Sequence, residues 1–184
     1  MKVILTIAVS FVLLAIIISV AAVRLPANTI HRRTVTLRQP AERVFAALED
    51  VASMPKWNRN TERIELLSPI DGKEATRQTF KGGMVATVVT TESAAPTHLT
   101  REMTDPKGGF FGSWEYELSN LPAGGSQITL TERSRISNLV VRLMMRLSGP
   151  TKYIDEHLED LAKNFGEVAL ITSASDQPSV RTDG

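Results

Sequence analysis

LMMRLSGPTKYIDEHLEDLAKNFGEV, residues 143–168, is the stretch whose reading decides the fold. Place Leu143 at zero and advance about 100° per residue: Leu147, Ile154, Leu158, Leu161, Phe165 and Val168 then share one narrow sector. That period predicts a long amphipathic helix with one apolar stripe. Gly149-Pro150 lies inside it, so a bend or break is expected there. One such helix needs an apolar surface to cover, and the preceding chain supplies one.

Upstream, the period changes from helical to alternating. Strands are predicted at 34–37, 63–67, 75–80, 84–91, 97–104, 113–119 and 127–135. Turn residues separate them: DG at 71–72, KGG at 81–83, AAP at 94–96, DPKGG at 105–109 and LPAGG at 121–125. Between the first two strands, Pro40 opens a helix over AERVFAALED, with Val44, Phe45 and Leu48 on its apolar side. Pro55 then ends any helix by Met54 or restarts a short one. Strand, short helices, a run of antiparallel strands and a long helix give an α+β architecture. It is a curved antiparallel sheet wrapped around the C-terminal helix. A bent sheet closed over a helix leaves a cavity where small ligands bind.

The chain has 184 residues, enough for one domain plus a short appendage. Its 21 basic and 20 acidic residues give a net charge of +1, which argues against nucleic acid as a partner. There is no cysteine, hence no disulfide or thiolate chemistry. The appendage is the N-terminus. VILTIAVSFVLLAIIISVAAV, residues 3–23, carries no charge and as a helix is roughly 30 Å long, the thickness of a bilayer core. A single-pass anchor over 1–25 is expected, followed by a folded domain over 26–171 and a polar, disordered tail over 172–184. A cleaved signal peptide is the rival reading, with Lys2 as its charged start and Ser19 and Ala21 at a cleavage site. Arg24, Arg32, Arg33 and Arg38 follow the span, which favours a cytoplasmic domain.

Four segments carry a resemblance: QPAERVFAALEDVASMPKWN near the start, SWEYEL in the middle, GGSQITLTERSRISN, and YIDEHLEDLAKNFGE at the end. In order and spacing over residues 30–168 the chain resembles the helix-grip superfamily (SRPBCC). That superfamily includes START domains, Bet v 1 allergens and polyketide cyclase/dehydrase-like proteins. The chain is most similar to bacterial members that begin with one apolar span. The resemblance implies a cavity for a hydrophobic ligand between sheet and long helix. It implies no single reaction, because the superfamily mixes carriers, enzymes and regulators.

Residue by residue, the chemistry is sparse. His31, His98 and His157 show no metal-ligand spacing, and no metal or cofactor is expected. His157 lies beside the helix's apolar sector and either edges the cavity or sits at its boundary. GGFFGS, 108–113, is neither a nucleophile elbow nor a phosphate loop. It is expected to form a flexible loop at the cavity mouth, with Phe110 and Phe111 as gate residues or packed beneath it.

Alternation places Trp114 and Tyr116 on one strand face, and Ile128 and Leu130 with Glu132 on another. If those faces point inward, Glu132 is a buried carboxylate that needs a partner. Arg101 and Arg77 are the candidates. Glu132 then either contacts a ligand's polar head, acts as a general acid or base, or forms a structural salt bridge.

Asn138 is placed to cap the long helix. Arg142 and Arg146 flank its apolar stripe, either solvated or on anionic lipid. Trp57, in MPKWNRN, is expected to anchor the helix–strand turn or line the cavity entrance, its indole N–H on a polar partner. The expected cavity set is therefore Trp57, Phe80, Arg101, Phe110, Phe111, Trp114, Tyr116, Glu132, Leu147, Ile154, His157 and Leu158. Three functions fit. The best supported is a membrane-tethered domain binding a lipid, quinone or polyketide-like molecule. An enzyme acting on an apolar carbonyl substrate through Glu132, Tyr116 or His157 is second, and an anchored regulatory module third. The sequence does not give the oligomeric state.

Overall fold

Long runs of alternating burial organise the middle of the chain into one sheet. The computed structural model describes residues 24–105 and 109–173. In chain order the elements are β1 (Asn28–Leu37), α1 (Ala41–Glu49), a 3-10 turn (Val51–Ser53), α2 (Met54–Trp57), β2 (Thr61–Leu66), β3 (Ala75–Phe80) and β4 (Val85–Ala94). Then follow β5 (His98–Thr104), β6 (Phe110–Asn120), β7 (Ser126–Ile136), α3 (Leu139–Ser148), α4 (Lys152–Asn164) and β8 (Ile171–Ser173). The strands form one curved antiparallel sheet in the order β2-β3-β4-β5-β6-β7-β1-β8. Each of β2 to β7 pairs with its sequence neighbour, and the first strand closes onto β7.

α1 and α4 cover the concave face. Ala41, Val44, Phe45 and Leu48 of α1 and Ile154, Leu158, Leu161 and Ala162 of α4 meet Val35, Leu37, Leu99, Tyr116, Leu118, Ile128 and Leu130 of the sheet in one buried cluster. The α+β, helix-grip-like architecture is thus as expected. The turns explain themselves locally. Asp71 and Gly72 take φ of 50° and 74°, the left-handed pair of a tight hairpin between Ile70 and Lys73. Gly125 is more demanding: φ is +81°, and a Cβ there would stand 2.2 Å from the carbonyl oxygen of Leu37.

The break expected at Gly149-Pro150 is present: Gly149 (φ 101°) and Pro150 interrupt the backbone hydrogen bonding and leave two helices. Three expectations need correction. The second helix ends at Asn164, so Val168, 87% exposed, lies beyond it. The GGFFGS stretch is not a loop throughout: β6 begins at Phe110, and the pairing of Phe110 with Ile136 and Phe111 with Arg135 extends the strand outward. Thr172 and Ser173 do not belong to a disordered tail. They pair with Thr34 and Arg33, covering the edge of β1, in a strand too short for alternation to reveal.

The apolar segment 3–23 expected as an anchor, and residues 174–184 of the expected tail, lie outside the described residues. Among the described residues no helix is long and apolar enough to cross a membrane.

Candidate functional site

A cavity of about 480 Å³ opens between the sheet's concave face, the 58–61 segment, α3 and α4. That volume lies in the range of small-molecule sites, roughly 300–1,000 Å³. Its walls are mainly apolar: Phe80, Val88, Met103, Phe110 and Leu130 from strands, Met145 from α3 and Ile154 from α4. Set among them are polar groups: Asn58, Gln78, Arg101, Tyr116, Glu132 and His157, together with Asn60, Thr61, Lys81, Asp105 and Asn138.

Strand register brings the polar groups together. Thr90, Arg101, Trp114, Glu132 and His31 occupy one row across β4, β5, β6, β7 and β1. Leu99, Tyr116 and Leu130 form the next row. Residues two apart on a strand share a face, so Arg101 and Tyr116 are diagonal neighbours over the cavity.

Glu132 is buried, as alternation required, but its partner is neither arginine. The indole Nε1–H of Trp114 donates to its Oε2 at 3.2 Å. Arg77 lies outside and pairs with Glu65 at 3.3 Å. Arg101 turns elsewhere: its Nε donates to Thr90 Oγ1 at 3.3 Å and one Nη to the Glu49 carbonyl at 3.4 Å. Burial pushes the Glu132 carboxyl above the usual carboxylate value, and the single indole donor only partly opposes this.

α4 is pinned by the MPKWNRN stretch. Backbone and side-chain N–H of Arg59 both donate to Asp160, at 2.7 and 2.8 Å, and Asn60 Nδ2 donates to Glu156 at 2.8 Å. On the far side Arg33 Nε donates to Asp155 at 2.8 Å. Asn58 reaches His157: Asn58 Nδ2 and His157 Nδ1 are 2.7 Å apart, and His157 Nε2 and the Tyr116 hydroxyl are 3.0 Å apart.

This chain has one consistent direction. The backbone N–H of Asn60 donates to Asn58 Oδ1 at 2.8 Å, which fixes the Asn58 amide with its NH₂ toward the histidine. His157 Nδ1 therefore accepts, and a neutral imidazole then carries its proton on Nε2 and donates to Tyr116. The histidine is neutral because burial, and next the nearby Arg101 charge, hold its pKa down to about 4. His157 is one of the residues that line the cavity. Having accepted from His157, the Tyr116 hydroxyl has its own proton free for the cavity. Burial raises the Tyr116 pKa to about 12, so that proton stays on.

Of the twelve residues the sequence proposed, eight lie on this cavity: Phe80, Arg101, Phe110, Trp114, Tyr116, Glu132, Ile154 and His157. Four do not. Leu158 is fully buried in the core between sheet and helices. Leu147 falls on the far side of the helix break and is 78% exposed. Phe111 alternates with Phe110 and so faces outward, 46% exposed, beside Ile30 on the opposite surface. Trp57 packs on the core with its ring 5.4 Å from His157, and its buried Nε1–H has no partner. Sequence reasoning missed other lining residues, among them Asn58, Gln78, Lys81, Met103, Leu130 and Met145. Asn58 was visible only as a polar residue after a tryptophan.

The model of one protein family, described as polyketide cyclase / dehydrase and lipid transport, matches residues 30–166. The chain belongs to this family. Solved structures of the START/SRPBCC superfamily share its fold. A conserved protein from Geobacillus kaustophilus superposes with a TM-score of 0.61 at 15% identity, over 78% of this chain and 99% of that one. A START superfamily protein from Mycobacterium smegmatis gives 0.58 at 14% identity, over 74% and 98%. The di-domain ARO/CYC BexL from the BE-7585A biosynthetic pathway gives 0.58 at 14% identity over 77% of this chain. The match spans about half of BexL, 52% of its length. No curated protein matches. At these identities the structures share the fold alone, and the site's chemistry rests on its own residues.

Proposed function

We propose that this member of the family is a membrane-tethered domain that binds a small, mainly apolar molecule in the cavity between sheet and helices. One observation carries the reading: a cavity of about 480 Å³ whose wall is mainly methionine, phenylalanine and aliphatic side chains, with polar groups set among them. The tether is the uncharged segment 3–23, and the arginines that follow it favour a cytoplasmic domain. The family's description, which includes lipid transport, supports the same reading.

A competing reading is an enzyme acting on an apolar carbonyl compound. It is favoured by the hydrogen bond between Tyr116 and His157, which presents a hydroxyl proton to whatever occupies the cavity. Displacement of an environment-sensitive apolar fluorophore from the full chain in nanodiscs tests the binding reading. Long-chain and aromatic apolar molecules are expected to displace it in a 1:1 ratio. No saturable binding by any of them would refute it, and conversion of a bound carbonyl compound to product would favour the enzyme.

A further inference from the structure

Arg101 carries a charge that no carboxylate touches; those of Glu74 and Glu49 act on it only at longer range. Arg101 is 3% exposed. Both of its hydrogen bonds go to neutral oxygens at long distances, 3.3 and 3.4 Å. Its Nη1 is buried with no partner. Among the described residues no salt bridge joins it to a carboxylate. A guanidinium stays charged at any ordinary pH and presents five donors in a planar fork. Leaving one buried and unpaired is costly, and the cost disappears when an anionic oxygen takes the free edge.

Three further observations say where that oxygen sits. Arg101 lines the cavity, and its unpaired Nη1 lies in the buried part of that wall. The diagonal neighbour Tyr116 has its proton free for the cavity, because the bonds from Asn60 through Asn58 and His157 occupy its acceptor side. Glu132, two positions along the row from Arg101, is held by Trp114 between them, and burial shifts its carboxyl toward the uncharged acid, which weakens its repulsion of an anion.

We propose that Arg101 and Tyr116 form a head-group site for a carboxylate-type anion, so that the ligand is an apolar molecule with one acidic oxygen head. The head lies at Arg101 and Tyr116, and the apolar part fills the space toward Phe80, Phe110 and Met145. This rests on the binding function proposed above and narrows its ligand. The planar fork suits a two-oxygen head better than a lone hydroxyl.

Three probes with the same chain and different heads separate the possibilities: dodecanoate, methyl dodecanoate and dodecylammonium, each titrated against the full chain by fluorophore displacement. Dodecanoate is expected to bind at least about tenfold more tightly than the ester, with the ammonium weakest. In Arg101→Gln the carboxylate is expected to fall to the level of the ester. Equal affinity for carboxylate and ester, or preference for the ammonium, overturns the head-group site while leaving the cavity reading intact. Binding of none of the three overturns both. Should Arg101→Gln fail to fold, the ranking of heads in the unmodified protein decides the matter.

Discussion

Lowering the pH from 8 to 5 puts the burial of His157 to a quantitative test. Folding holds its pKa near 4 against an ordinary 6.5. The unfolded chain therefore binds a proton that the folded one refuses, and stability falls as pH drops through that window. It is fully present above the unfolded value and lost progressively toward the folded one. The slope approaches about 1.4 kcal/mol per pH unit, and integration from pH 8 to pH 5 gives a loss of about 2 kcal/mol. His157→Gln removes the titration while keeping one donor and one acceptor for Asn58 and Tyr116. The assay is urea denaturation followed by tryptophan fluorescence, for which Trp57, 5.4 Å from the imidazole, is a local reporter. The difference in stability between the parent and His157→Gln should shift by about 2 kcal/mol against the parent between pH 8 and 5. Taking the difference removes other titrating groups, including Glu132, whose shift has the opposite sign. Parallel pH profiles for the two proteins would refute both the neutral histidine and the hydrogen-bond direction built on it.

Glu132→Gln should gain stability relative to the parent as pH rises. The raised carboxyl favours the fold below the ordinary carboxylate pKa and loses that advantage as pH climbs through the folded value. A difference that stays flat from pH 4 to 8 would contradict the burial argument. Gly125→Ala should cost more than about 2 kcal/mol, since its Cβ would meet the Leu37 carbonyl at positive φ. Gly124→Ala, also at positive φ but with open space around it, should cost only about 1–2 kcal/mol, and equal urea midpoints would count against the contact. Leu158→Ala should cost about 2–5 kcal/mol and Leu147→Ala less than about 0.5 kcal/mol, as the first is fully buried and the second mostly exposed. Similar losses for both in thermal melts would restore the single continuous helix.

Much of this was legible because periodicity reports burial. The alternation in 127–135 put Glu132 inside, and that of 113–119 put Trp114 and Tyr116 on one face, without any knowledge of their neighbours. What alternation cannot supply is the partner across the sheet. Arg101 looked suitable for Glu132 by charge, yet register sets Trp114 between them, and the indole takes the bond. Helical period misplaced Leu147 for a related reason, although the break at Gly149-Pro150 was expected. It counts angle along an unbroken axis, so Leu147 and Leu158 read as one stripe although the axis changes between them. The polar run Asn58-Arg59-Asn60 looked like a turn of no consequence. Its role depends on Glu156, His157 and Asp160, about a hundred residues later, and nothing local encodes that meeting.

The break at Gly149 also separates two kinds of stability. α3 has no buried residue, while Val141 and Met145 form part of the cavity wall. Its fastenings are few: Arg142 donates to the carbonyls of Ile136 and Leu25, and Asn138 caps its first turn. A segment held so lightly opens at a small fraction of the free energy needed to unfold the domain. On the function proposed above, the rate at which a molecule enters or leaves would be set by this one helix, independently of how firmly sheet and α4 hold together. One of its fastenings lies at Leu25, directly after the arginine that ends the apolar N-terminal segment. On the function proposed above, exchange of the bound molecule and tethering of the chain would share a single point of mechanical contact.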